Sequence, residues 1–374
     1  MKTVSLILVM LIFPLMNIFG QEHDRQPVVS GSFYPAGSER LRSELAGYFT
    51  GFGEPRAGVH VRAIIVPHAG YVFSGHTAAA GFAAIPSGAT YDNIFLIGVS
   101  HRYAFEGAAV FTSGNLVTPL GTMKVNSELG RKLQSTNRWF IPKDEAHGPE
   151  HSLEVQLPFI QYRFKSVPPV VPVLIGTKNL NVLKAIAAGL EPWFNDRNLF
   201  IISSDFSHYP SSEDARRADR MVSDAIVKGN PEGFLRTVST IESSGIENLA
   251  TAMCGWPAGL VLLYLADKDD GLVFRNVEYT NSGDSPRGSS DEVVGYNAIV
   301  LEGRVAARTV SQSEPFSLTE EEQETLFATA RESISARLDH RQHSAVAGTR
   351  LTPRLREPLG AFVTITIDGD LRGC

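Results

Sequence analysis

Cysteine is all but missing from this chain. Only Cys254 and the terminal Cys374 occur among 374 residues, which excludes the disulfide framework of a small secreted scaffold and leaves one possible pairing, Cys254–Cys374. Basic clusters are missing too. With a formal charge of −6 and no run of Lys and Arg, the chain lacks the electrostatic footprint of a DNA or RNA binder, and no nucleic acid is expected as a partner. There is no Gly-x-Ser-x-Gly elbow, internal repeat or low-complexity tract. Only the stretch from Val4 to Phe19 is apolar enough to suggest a membrane, and Pro14 and Asn17 interrupt it short of the about 20 residues a spanning helix needs. Following Met1-Lys2, it reads as a secretory signal over residues 1–20. That implies export to a periplasm or beyond, with no stable membrane span after cleavage; an uncleaved membrane anchor is the alternative.

The rest is rich in apolar residues, 43% hydrophobic against 20% charged, enough for one large domain and a smaller one. From Val61 onward, strands and helices alternate. Val61–Val66, Ile94–Ile97, Val170–Ile175 and Leu199–Ser203 are β-branched or apolar runs that predict buried strands. Ser38–Phe49, Thr77–Ala84, Asn126–Leu133, Leu180–Phe194 and Ser212–Val227 predict helices. Such alternation predicts a layered α/β domain, a largely parallel central sheet flanked by helices, over residues 27–305. Residues 107–125 suggest an antiparallel excursion, and Gly271–Thr280 and Val293–Glu302 two further strands. The loop between those strands, Asn281 to Asp291, reads either as a lid or as plain surface. Residues 306–315 form a polar linker. Ser317-Leu318-Thr319-Glu320 then predicts a capping box and a helix, and Gly360 to Ile367 an alternating strand that turns at Asp368-Gly369-Asp370.

Polar groups sit where the apolar runs stop. His68 follows Val66-Pro67, His101 follows Ile97-Gly98-Val99-Ser100, Asp205 and His208 follow Ile201-Ile202, and Cys254 stands at the mouth of a long apolar segment. In open α/β sheets the carboxyl ends of the strands face the ligand crevice. Singly, His68 is compatible with a core histidine and Cys254 with an inert buried thiol. His151 and Glu154, three residues apart, share one helical face in this reading, opposite the Leu153, Leu157 and Ile160 stripe. That face turns to a cavity or to solvent, which makes the pair substrate-binding candidates. A Ser-His-Asp relay is disfavoured because Ser203, Ser204, Asp205 and His208 crowd into one loop. Two histidines from separate strand ends with a thiolate or carboxylate would instead make a three-ligand metal site with open positions.

The segments Gly31-Ser32-Phe33-Tyr34-Pro35, Pro67-His68-Ala69-Gly70-Tyr71, Gly75-His76-Thr77-Ala78, Gly98-Val99-Ser100-His101, Glu150-His151-Ser152-Leu153-Glu154-Val155-Gln156-Leu157-Pro158-Phe159, Ser204-Asp205-Phe206-Ser207-His208-Tyr209 and Cys254-Gly255 together resemble the Memo family. The resemblance implies a fold like that of the class III extradiol dioxygenases and a metal held by His68, His101 and Cys254. Iron or copper would be expected ahead of zinc. It further implies that His208 acts as acid/base; Asp205, in the same loop past a buried strand, is read as sharing that role. In the dioxygenases a glutamate stands where this chain has Cys254, which argues against ring cleavage but not against metal binding. The tail, residues 316–374 ending in Leu371-Arg372-Gly373-Cys374, resembles the start of an AMMECR-type domain, and the two resemblances together imply a radical SAM protein as partner in a modification system. The expectation is therefore a redox-type metalloenzyme. Its alternative is a non-catalytic module that holds a peptide or partner in the same groove.

Overall fold

The computed structural model describes residues 23–53, 55–304, 318–339, 352, 355, 365–367 and 370–373. The expected signal (1–20), the linker (306–315), Cys374 and most of the predicted strand 360–367 lie outside the described residues. The chain divides into two compact units, Met1–Val305 and Ala306–Cys374.

In the first unit the strands are β1 Val59–Val66, β2 Asn93–Val99, β3 Ala108–Val110, β4 Leu116–Thr118, β5 Gly121–Met123, β6 Phe140–Ile141, β7 Val170–Ile175, β8 Asn198–Ser203, β9 Leu272–Asn281 and β10 Gly295–Arg304. The helices are α1 Ser38–Phe49, α2 Tyr71–Ala83, α3 Ser127–Thr136, α4 Leu157–Arg163, α5 Leu180–Leu190, α6 Ser212–Val227, α7 Pro231–Glu242 and α8 Trp256–Ala266. Eight strands form one mixed sheet in the order β6-β3-β7-β2-β8-β1-β10-β9, while β4 and β5 pair separately. Its centre, β7-β2-β8-β1, is parallel. Antiparallel pairs, β3 on β7 and β10 on β1 followed by β9 on β10, flank that centre.

β2, β7 and β8 are buried along their whole length, which is why they read as unbroken apolar runs; helices cover both faces of the sheet. Alternate residues supply two cores. Ile65, Phe95, Ile97, Val173, Phe200 and Ile202 face α5, α6, α7 and α8, whereas Ile64, Leu96, Leu174, Leu199 and Ile201 face α1, α2 and α4. The carboxyl ends of the parallel strands therefore share one edge of a three-layer body, and His68, His101 and the loop 204–208 leave from that edge.

Several expectations need correction. α2 begins at Tyr71, not Thr77, because Tyr71 is buried and anchored, its hydroxyl donating to Val155 O at 2.7 Å, so packing outweighs the weak helix propensity of Tyr71-Val72-Phe73. The helix expected over Leu180–Phe194 ends at Leu190 and tightens into a 3-10 turn, Glu191–Trp193, at Pro192. α7 and α8 come in addition, and the helix read through Leu153, Leu157 and Ile160 starts only at Leu157. α7 carries an Asn230 cap with Pro231 at its first position, a start signal that its modest apolar stripe obscured. The loop after β9 lies on the surface, tied down by a capped turn at Asn281–Asp284 and by Ser285 Oγ donating to Val72 O at 2.9 Å.

In the second unit, α9 spans Glu320–Leu338. Its capping box uses Thr319 and Glu322 instead of Ser317 and Glu320, a shift of two residues that keeps the Ser/Thr-x-x-Glu spacing the motif requires. Two short strands, β11 Ile365–Ile367 and β12 Asp370–Gly373, pair antiparallel. No helix among the described residues is long and apolar enough to cross a membrane.

Candidate metal centre

Pro67 ends β1 and turns His68 inward. The residue is 2% exposed, its backbone N–H donates to Asp205 Oδ1 at 2.7 Å, and its ring Nδ1 lies 3.1 Å from Ser203 Oγ. Ser203 Oγ spends its single proton on Ser152 O at 2.6 Å and also accepts from Gln156 Nε2 at 2.9 Å. It can only accept from His68, so Nδ1 carries the ring proton and Nε2 keeps its lone pair. That lone pair faces Cys254 Sγ at 3.3 Å.

His101 leaves the end of β2 and is held by Glu150. Its backbone N–H donates to Glu150 Oε2 at 2.7 Å and its ring Nδ1 lies 3.0 Å from Oε1, which leaves Nε2 for a ligand. His151 is held by the same carboxylate through its backbone N–H at 3.0 Å, and its ring Nδ1 lies 3.3 Å from the same oxygen. One ligating atom from each of His68, His101 and His151 fits within a mutual distance of 4.8 Å. The rings stand 5.0–5.4 Å apart, and Phe33 meets His151 edge-on at 5.2 Å.

Electrostatics favour the ligand form. Burial, then the charges of His101 and His151, pushes His68 well below its ordinary value, and burial also lowers His151, so both imidazoles are neutral near pH 7. Burial alone would raise Glu150. Hydrogen bonds from His101 and the backbone of Ser152, with the charge of His101, overturn that and hold the carboxyl below the usual range. Burial, reinforced by the Asp205 charge, pushes the Cys254 thiol up to about 12. Cys254 is a free thiol placed just before α8, with its backbone N–H donating to Asp205 O at 3.2 Å. A cavity of about 270 Å³ opens beside it, lined among others by His101, Thr177, Lys178 and Cys254.

Asp205 is 4% exposed, braces the backbone of His68, and is raised above its ordinary value by burial. His208 sits further along the loop, its Nδ1–H donating to Phe206 O at 2.9 Å, so Nε2 is the free nitrogen. The loop is fixed from β10: Phe206 N donates to Gly295 O and Gly295 N to Ser207 O, both at 2.8 Å. Gly295 is required there because a Cβ would come 1.8 Å from Asp219 Oδ2, and Asp219 Oδ1 accepts from Ser207 N at 2.9 Å. Gly295→Ala is expected to destabilise by about 1–3 kcal/mol of overpacking, a fall of a few degrees in Tm. An unchanged melting curve would mean that Asp219 swings aside at no cost.

Glu154 does not join this group. Residues 151–153 precede any helix and Glu154 opens a 3-10 turn, so it shares no face with His151. It is fully buried, accepts from Val28 N, Val29 N and Tyr34 Oη, and pairs with Arg25 at 2.8 Å. Conversely Glu150, Ser203 and Gln156 support the histidines without having been singled out as site residues. Only Glu150, wedged between Pro149 and His151, carried a local signal, and its role depends on His101 arriving from a strand some fifty positions earlier.

A family model of Memo-like proteins matches residues 25–300. A MEMO1 family protein of Thermoplasma volcanium is 36% identical over 278 residues, covering 74% of this chain and 97% of that protein. One from Methanosarcina acetivorans is 35% identical over 282 residues, covering 74% and 99%. The crystal structure of an uncharacterized protein from Escherichia coli K12 overlaps 63% of this chain and 98% of its own at 11% identity, with a TM-score of 0.34. By its sequence over residues 25–300, this chain belongs to the Memo family.

Proposed function

We propose that the chain is a metal-dependent protein of redox type, with His68, His101 and Cys254 holding iron or copper at the carboxyl edge of the sheet. The observation that carries this reading is the convergence of three histidines, with ligating atoms within 4.8 Å, on a cysteine whose sulfur lies 3.3 Å from His68 Nε2. Two ligands of one tetrahedral ion, with bonds of about 2.1 and 2.3 Å, would stand roughly 3.6 Å apart. The donors fit: neutral imidazole and thiolate suit iron, copper or zinc better than magnesium or calcium. Bound there, iron or copper would supply one-electron chemistry and polarise an oxygen ligand.

The remaining steps belong to the protein. Ser203 and Glu150 fix which nitrogen of His68 and His101 is offered. His151 flanks the open side as a substrate contact. His208 Nε2 is free to take or give a proton, and Asp205 holds the His68 backbone in register. The thiol must lose its proton on binding, so uptake should rise with pH. Action beside a radical SAM protein, and export, are further parts of the proposal and rest on the motifs alone.

Metal content after oxygen-free purification tests the reading. His68→Ala, His101→Ala and Cys254→Ala should each lose most of the metal while keeping the wild-type circular dichroism spectrum; His208→Ala should retain it. Full occupancy in both His68→Ala and His101→Ala would sink the site. Loss in His151→Ala with retention in Cys254→Ala would make the three histidines the ligand set.

A further inference from the structure

β10 sends alternate side chains to opposite faces of the sheet. Ile299 and Leu301 enter the core beneath α6–α8, and Asn297 takes the next position on that face. It is fully buried, and neither Nδ2 nor Oδ1 has a hydrogen-bond partner among the described residues. A buried amide with both ends unpaired is rare, and an apolar side chain would fill the same slot without the penalty. Asn297 is one of the residues lining a cavity of about 290 Å³, shared with Arg216, Arg220, Ser223, Asp224, Asn276 and Tyr279. That is near the lower end of the about 300–1,000 Å³ typical of ligand pockets.

The other polar groups divide into spent and free. Tyr279 gives its hydroxyl to Asp219 at 2.9 Å, and Arg216 pairs with Asp284 while lying 5.6 Å from the Tyr279 ring centroid. Arg220 and Asp224, one helical turn apart on α6 and both lining the cavity, have no side-chain partner among the described residues. What remains, besides the exposed side chain of Asn276, is one buried amide offering a donor beside an acceptor, one free cation and one free carboxylate.

We propose that this cavity is a second ligand site. Its ligand is a small metabolite with a hydrogen-bond donor and acceptor side by side, to pair head-to-tail with Asn297, and an anionic group for Arg220. An ammonium or hydroxyl group of the same molecule would meet Asp224. A primary amide and a nucleobase edge both present that donor–acceptor pair, and two probes separate them: glutamine and adenosine monophosphate.

Calorimetric titration of the full chain should show saturable binding of one of the two. Asn297→Leu should weaken it at least about tenfold, the scale of one lost bidentate contact. Arg220→Gln, at an exposed position that leaves the core untouched, should weaken it as well, whereas Lys228→Gln, just past the end of the same helix and outside this cavity, should not. No saturation by either probe up to about 10 mM, beyond even a weak millimolar affinity, would overturn the proposal. So would binding retained in both Asn297→Leu and Arg220→Gln, or lost equally in Lys228→Gln.

Discussion

Glu154→Ala is expected to lower the melting temperature of the first unit by roughly 6–20 °C. The carboxylate is fully buried and holds the segment before α1 to the body: Arg25 Nη1 at 2.8 Å, the backbone N–H of Val28 and Val29 at 2.8 and 2.9 Å, and Tyr34 Oη at 2.7 Å. Arg25 is itself nearly buried, its side chain 8% exposed, and also donates to His147 O and Glu150 O. Removing one partner of such a pair strands the other charge, at about 3–5 kcal/mol, and each kcal/mol moves Tm by about 2–4 °C in a domain of this size. Arg25→Met with Glu154→Leu should recover part of the loss, because no charge is then left unpaired. A shift below about 3 °C for the single variant would mean that water enters and takes over the carboxylate's partners. Metal content of the folded variant should stay near wild type, which separates anchoring from ligand binding.

Glu154 also shows what a one-dimensional pattern leaves out. The spacing of His151 and Glu154 predicts a shared helical face, but Pro149 and the turn at 152–153 delay the helix, and the two side chains part. The strands were legible because both faces of β2, β7 and β8 are covered, so burial writes itself as continuous apolar runs, and Val170–Ile175 is observed at its predicted ends. The placement of His68, His101 and Asp205 was legible for a related reason: parallel strands end at one edge, and polar residues just past their ends meet there, whereas Cys254 reaches that edge from the turn before α8. Hydrogen-bond partners follow no such rule. Ser203, the last residue of an apolar run, reads as the strand's end, yet its hydroxyl selects the tautomer of His68 through Ser152 and Gln156, contacts that both reach about fifty positions back along the chain. The orphaned Asn297 was equally invisible, because a single Asn in a strand looks like an ordinary exposed position until the helix above it is in place.

Glu150→Ala is expected to cost 10–100-fold in metal affinity, about 1.4–2.8 kcal/mol, the usual loss when a carboxylate behind ligating histidines is removed. Four N–H groups converge on Glu150: the backbone and Nδ1 of His101, and the backbones of His151 and Ser152. Without the carboxylate, nothing fixes Nδ1 of His101 as the protonated nitrogen, and its ring is free to turn away from His68. Glu150→Gln keeps one acceptor oxygen but points an amide N–H at donors, so it should fall between Ala and wild type. The same residue sets an acid limit. Its carboxyl is held below its ordinary value of 4.5 in the folded chain, so the folded state binds fewer protons than the unfolded one as pH drops. The stability it contributes is complete above about pH 4.5 and is lost as pH falls from there toward the depressed value. Wild-type Tm should therefore fall more steeply with acidification than that of Glu150→Gln, which has no carboxyl to titrate. Competition against a chelator at neutral pH, and melting curves between about pH 3 and 7, measure the two effects separately. If affinity stays within about threefold of wild type while the acid slopes differ, Glu150 braces the fold without orienting the ligands. Equal acid slopes with a large affinity loss would show the reverse.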